Sequence, residues 1–132
     1  MELLVVDANP ILSALLGGAA REVLFSGKFT LYSTQHALFE VAKHLSSLAK
    51  RLDLPESDLF REYQLLPITA CQPNQYDFSL AEAERWIGGR DPKDVPILAL
   101  AISLHCPLWT DDRDFDGVSV VPIVKTADLI AK

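Results

Sequence analysis

Leu3-Leu4-Val5-Val6-Asp7-Ala8-Asn9-Pro10 is a short apolar run stopped by an aspartate, an asparagine and a proline. A continuous apolar run of this length marks a strand buried on both faces, the kind found in parallel sheets covered by helices. Asn9 reads as an N-cap and Pro10 as a first helical residue. A helix carrying Ile11, Leu12, Leu15 and Leu16 is therefore expected directly after the strand. Asp7 stands where the strand ends.

Outward from that stretch, the same unit of strand, polar turn and helix recurs. Gly17-Gly18 interrupts the first helix before a helical pattern resumes over residues 21–25. Residues 29–32 read as a second strand. Ser33 or Thr34 then caps a long helix whose apolar positions are Leu38, Val41, Leu45, Leu48 and Leu52, spaced by three and four. A third helix from Pro55 carries Leu59, Phe60, Tyr63 and Leu66, with a strand at 68–71 after Pro67. Residues 80–87 read as helix closed by Gly88-Gly89, and 95–104 as an almost wholly apolar helix that must be buried nearly all round. Strands are expected at 108–110 and 118–121, and a helical turn at 127–131. Strands alternating with helices imply an α/β sandwich with a mainly parallel sheet.

The chain has 132 residues, 49% hydrophobic and 23% charged, which fits a single domain over 1–132 and excludes disorder, collagen-like repeats and a coiled coil. Cys71 and Cys106 match neither a disulfide framework nor a zinc spacing. With no basic leader and no apolar run near 18 residues, a cytoplasmic protein without membrane association is expected. The net charge of −6 argues against holding nucleic acid by bulk electrostatics. It does not exclude a nuclease, because a bound cation reverses the local field.

The acidic residues are not scattered evenly. Asp7 and Asp112 each follow a strand, so both belong at the carboxyl edge of the sheet, where such folds bind ligands. Asp94 precedes the apolar helix; it is either an N-cap or a site residue near the positive end of the helix dipole. Glu40 lies about 120° from the centre of its helix's apolar face, at roughly 100° per residue, and shares a strip with His36 and His44. Taken alone, that strip reads as a solvated flank, with Glu40 pairing to Lys43 or His44 and the histidines at the surface. Three chemistries compete for these carboxylates. A calcium loop matches the first six positions of Asp112-Arg113-Asp114-Phe115-Asp116-Gly117 but fails at the twelfth, Ile123, where a bidentate Glu is required. A receiver-like phosphoacceptor needs a second acid after the first strand, where Ala8 stands, and its candidate Asp53 follows a helix. A divalent-metal nuclease needs three or four carboxylates from separate elements converging at one edge. Mg²⁺ or Mn²⁺ held there supplies an activated water and a partner for the charge growing on phosphate.

Four segments in this order resemble the PIN domain: the strand ending in Asp7-Ala8-Asn9; Glu40 within Ala37-Leu38-Phe39-Glu40-Val41-Ala42; Asp91-Pro92-Lys93-Asp94 leading into the apolar helix; and Trp109-Thr110-Asp111-Asp112-Arg113-Asp114-Phe115. The resemblance runs from residue 3 to about 122. It implies a three-layer sandwich, a parallel sheet flanked by helices, and an endoribonuclease hydrolysing RNA phosphodiesters with Mg²⁺ or Mn²⁺. Carried over by motif, the catalytic and metal-binding acids are Asp7, Glu40, Asp94 and Asp112, with Asp114 as a fifth ligand. Thr110 and Asn9 support them, and Asp91 is a second acid in the turn of Asp94. Arg90, Lys93 and Arg113 either meet RNA phosphates or balance the neighbouring aspartates. Small proteins of this family resemble the toxin half of VapC-type toxin–antitoxin pairs, which implies an antitoxin partner and a homodimer built on residues 34–66. A PIN-fold binding module without turnover, or a receiver-like signalling domain, is the alternative.

Overall fold

In the first strand, β1 (Glu2–Val6), Val5 points to one side of the sheet while Leu4 and Val6 point to the other, and each side is capped by its own apolar core. This is the two-sided burial that the run of Leu and Val demands. The structure is a computed structural model describing residues 2–131. Among these residues four more strands join β1: β2 (Phe29–Thr34), β3 (Ile68–Cys71), β4 (Leu108–Trp109) and β5 (Ile123–Val124). The sheet is entirely parallel, in the order β3-β2-β1-β4-β5.

Eight α-helices flank it among the described residues: α1 (Ala8–Leu15), α2 (Ala20–Leu24), α3 (Gln35–Lys43), α4 (Leu45–Leu52), α5 (Glu56–Gln64), α6 (Leu80–Ile87), α7 (Val95–Leu104) and α8 (Thr126–Ile130). On one face Val5 and Leu108 pack with Ala83 and Ile87 of α6 and with Leu98 and Ala101 of α7. On the other face Leu4, Val6 and Trp109 pack with Ile11, Val41, Leu45 and Leu59. The α7 sequence is apolar all round because neighbours cover it on nearly every side, leaving Leu98, Ala99, Leu100 and Ala101 with no exposed surface. Each large side chain buried this way contributes about 1.5–3 kcal/mol. Among the described residues no helix is long and apolar enough to cross a membrane.

The strand order positions the site. The chain builds outward from β1 to β2 and β3, then crosses back to lay β4 against the other side of β1. The reversal leaves a crevice beyond the carboxyl ends of β1 and β4, the place where open α/β sheets bind ligands. The Asp7 amide donates to the Trp109 carbonyl at 2.9 Å, closing the ladder there.

Several local expectations need correction. Asp7, not Asn9, caps α1: its side chain accepts from the Ala8 amide, so the helix begins one residue before Asn9 and two before Pro10. The single helix expected through Leu52 is two, α3 and α4. At His44 the backbone amide bonds to Val41, three residues back, and this tighter turn redirects the helix while Val41, Leu45 and Leu48 all stay buried. The last strand is not 118–121 but β5. Val118 and Val121 are buried by packing, while the ladder bonds to β4 come from the carbonyls of Pro122 and Val124. An apolar run reports burial, and here burial and pairing fall on different residues. Asp53 closes α4 in the left-handed conformation at φ 53°, following no strand, which removes the receiver-like alternative.

Candidate metal centre

Asp7 is 7% exposed, its Oδ1 accepting from the Ala8 amide and its Oδ2 from the Thr110 hydroxyl, both at 2.8 Å. Burial pushes its carboxyl pKa up, against the pull of those two hydrogen bonds, and the charges of Asp112 and Asp91 add to the rise. Thr110, fully buried after β4, also accepts from the Asp112 amide at 3.1 Å. One hydroxyl thus links the end of β1 to the turn after β4. The Asp112 side chain in turn accepts from the Asp114 amide at 2.9 Å and opens a 3-10 turn over Arg113–Phe115.

The third element is the turn before α7. Asp91 caps a 3-10 turn over Pro92–Asp94, accepting from the Lys93 amide at 3.0 Å. Asp94 immediately precedes α7, yet its side chain makes no capping bond. Its Oδ2 is instead buried without a hydrogen-bond partner among the described residues. Burial first, then the charges of Asp7, Asp91 and Asp112, raise its pKa to about 8. The N-cap reading of Asp94 therefore fails, and its carboxylate is aimed into the crevice unsatisfied.

Carboxylate oxygens of Asp91, Asp94, Asp112 and Asp114 all lie within 4.8 Å of one another. Anionic oxygens at this spacing repel, and hard divalent cations such as Mg²⁺ and Mn²⁺ prefer such donors. The orphaned Asp94 oxygen supplies the independent sign that something positive belongs between them. The residues present fit such a cation. Asp91, expected only as a supporting acid, stands inside this group.

Glu40 stands apart from it. From α3 it lines a pocket of about 160 Å³ together with Asp7, Asp91, Asp94 and Lys93. It pairs with Lys43 at 3.4 Å, and that hydrogen bond and charge hold its carboxyl below the ordinary range. His36 and His44 line the same pocket and both are exposed, so the strip on α3, with its Glu40–Lys43 pair, is a solvated wall of the pocket. Its i, i+4, i+8 spacing around Glu40 is the signal in the sequence.

The remaining candidates divide. Lys93 lines the pocket and Arg113 is exposed on the turn beside it. Arg90 donates from Nη1 to the carbonyls of Asp114 and Asp116 at 2.9 and 2.6 Å, so it braces the turn that carries Asp114. Asn9 Oδ1 meets the Asp111 amide at 3.5 Å, the outer limit of a hydrogen bond. Asp111 was not anticipated: its two oxygens accept from the amide and hydroxyl of Thr126 at 2.9 and 2.6 Å, fastening α8 to the end of β4. The same hydroxyl accepts from Trp109 Nε1 at 3.0 Å. Asp58, Asp77 and Asp128 lie on α5, a 3-10 turn and α8, away from the pocket lining.

The PIN domain family model matches residues 5–129. No curated protein matches the sequence at a significant level. Among solved structures, the chain is similar to VapBC2 from Rickettsia felis bound to a promoter DNA fragment, at a TM-score of 0.70 and 14% identity over 93% of this chain and 98% of that one. It is also similar to VapBC-1 from nontypeable Haemophilus influenzae, at a TM-score of 0.66 and 16% identity over 95% and 98% of the two chains. A third similarity is to a toxin–antitoxin complex from Klebsiella pneumoniae, at 0.65 and 18% over 89% and 94%. Identities this low speak for the fold, while the family model spans almost every element that builds the carboxylate group. The chain belongs to the PIN domain family.

Proposed function

We propose that this protein is a divalent-metal-dependent endoribonuclease acting as the toxin of a toxin–antitoxin pair. The observation that carries the reading is the group of Asp91, Asp94, Asp112 and Asp114 at the β1/β4 crevice, with an Asp94 oxygen that has no partner among the described residues. These four would hold Mg²⁺ or Mn²⁺, and Asp7 adds its charge from beside them in a carboxylate fixed by Thr110 and Ala8. A cation bound there supplies a Lewis acid that makes water a competent nucleophile near neutral pH and offsets charge developing on phosphate. Glu40, kept ionised by Lys43, faces the group across the pocket and accepts the proton that attack releases. Lys93 at the rim meets an RNA phosphate, and Arg113 extends the same contact outward along the turn. Arg90 serves the reaction by fixing the turn beneath Asp114.

The structural likeness to chains from VapBC complexes supports an antitoxin as the natural partner, and a cytoplasmic homodimer is the working form proposed with it. The deciding experiment is cleavage of single-stranded RNA with Mg²⁺, with Mn²⁺ and with chelator. It compares the wild type with Asp94→Asn and Asp7→Asn. Cleavage is expected only with metal and only in the wild type. Cleavage that survives chelation, or variants as fast as the wild type, would sink the assignment in favour of a binding module.

A further inference from the structure

Helix α3 is a ridge between two pockets. Glu40 and His44 face the carboxylate pocket, while Gln35, Leu38 and Phe39 line a second one, bounded on its far side by Tyr63 and Tyr76. His36, in the first turn of the helix, lines both. The two spaces differ in size and in chemistry. At about 160 Å³ the carboxylate pocket is smaller than the ~300 Å³ at which pockets begin to enclose organic ligands. It accommodates a phosphate and its cation, so the sugar and base of a bound nucleotide must lie outside it. The second pocket has about 560 Å³ and aromatic walls.

Those walls are unequal in exposure and firmly held. Phe39 is 61% exposed, a large apolar ring left in solvent beside the site. Tyr76 is buried, and the Tyr63 hydroxyl donates to the Leu38 carbonyl at 2.9 Å, which fixes that ring against α3. Lys43 Nζ, paired with Glu40 at 3.4 Å, lies 5.2 Å from the centre of the Phe39 ring, so a cation stands on the ridge between the two pockets. An aromatic face, an adjoining cation and a wall shared with a phosphate-sized pocket match a nucleotide better than an apolar peptide segment.

We propose that the second pocket is a nucleobase subsite. The base of a nucleotide adjoining the cleaved phosphodiester crosses α3 at His36 and stacks on Phe39, with the Gln35 amide and the His36 imidazole at its edge. This deepens the ribonuclease reading and rests on it for the phosphate's position. It requires the nucleotide at this position to be unpaired, because a base held in a duplex cannot swing into the pocket.

The test is binding of a short single-stranded RNA by fluorescence anisotropy, with Ca²⁺ in place of Mg²⁺, beside the same strand carrying abasic nucleotides. Phe39→Ala is compared with wild type and with Phe39→Trp, and a melting curve confirms that each variant folds. Phe39→Ala should weaken binding of the intact strand by about 5- to 150-fold, the worth of one base–aromatic stack. It should leave the abasic strand unaffected, and Phe39→Trp should restore the wild-type value. Equal binding by Phe39→Ala and wild type overturns the subsite, as does a wild type blind to the missing bases. Conversion of a dimer to a monomer by Phe39→Ala overturns it as well, because the ring then belongs to a protein interface. Cleavage is read in parallel. Wild type that discriminates bases through Phe39 but cleaves no RNA retains the subsite and removes the ribonuclease reading, whereas normal cleavage indifferent to Phe39 removes the subsite alone.

Discussion

Asp94 carries the largest electrostatic tension in the molecule. Its pKa, raised to about 8 by burial and by three neighbouring aspartates, lies far above the ordinary 3.8 of the unfolded chain. Between those two values the folded state holds a proton that the unfolded state has released, so stability falls as pH rises from about 4 to about 8. Asp7, also shifted upward, works in the same direction. Thermal melts of the metal-free protein should therefore show Tm declining across that window, with Mn²⁺ reversing the decline by binding the folded state alone. Asp94→Asn should flatten the profile and raise the metal-free Tm near pH 8. A Tm independent of pH in the metal-free wild type would contradict this account. Thr110 makes the companion case. Its hydroxyl serves both Asp7 and the Asp112 amide in a fully buried setting, so Thr110→Val leaves two groups unsatisfied. The expected loss is about 1–3 kcal/mol by urea unfolding, with Thr110→Ser retaining most of the stability.

At the scale of elements, what could be read from the sequence follows from how directly each element's pattern reports its surroundings. β1 and α7 were legible because α7 and the Leu4, Val5 and Val6 stretch of β1 are buried, and an unbroken apolar run is costly anywhere that water can reach it. Asp7 and Asp94 took their places along the chain with them, one at the end of a buried strand and the other at the start of a buried helix. The α3–α4 break was not, because the spacing of Val41, Leu45 and Leu48 stays helical across His44 while only the backbone bond changes partner. Asp91 was undervalued for a similar reason: a 3-10 turn brings it beside Asp94, and no side-chain periodicity announces a 3-10 turn. The Arg90 brace was invisible too, since its acceptors are main-chain carbonyls 24 and 26 residues away. That brace yields a prediction about the turn it holds. Gly117 follows the turn at φ +87°, a conformation that glycine adopts without strain, and the two Arg90 hydrogen bonds tie the turn ahead of it to the rest of the site. Arg90→Ala should weaken Mn²⁺ binding several-fold in a calorimetric titration, while far-UV circular dichroism stays unchanged. If Arg90 acts only on RNA, Mn²⁺ affinity will not move.

For the whole molecule, the balance of charge and apolar surface bears on assembly. Phe60, Leu54 and Leu65 are 46%, 45% and 68% exposed on and around α5, within the span expected to pair two copies. Light scattering at tens of micromolar, a concentration suited to modest affinity, should return a dimer. Leu65→Lys should shift it to the monomer while changing the stability of the fold by no more than about 0.5 kcal/mol, as for other exposed substitutions. A strict wild-type monomer would end that proposal.

The hydrogen bond from Thr110 to Asp7 joins residues 103 positions apart, and the Asp111–Thr126 clasp lies later still. During translation, then, the first strand leaves the ribosome long before its neighbour in the site has been made. No partial chain ending before β4 contains the complete carboxylate group, because Asp112 and Asp114 both follow that strand. Whatever chemistry the group performs arrives all at once, with β4 and the turn that follows it, and a cell making this protein is exposed to that chemistry only after this late segment has been added.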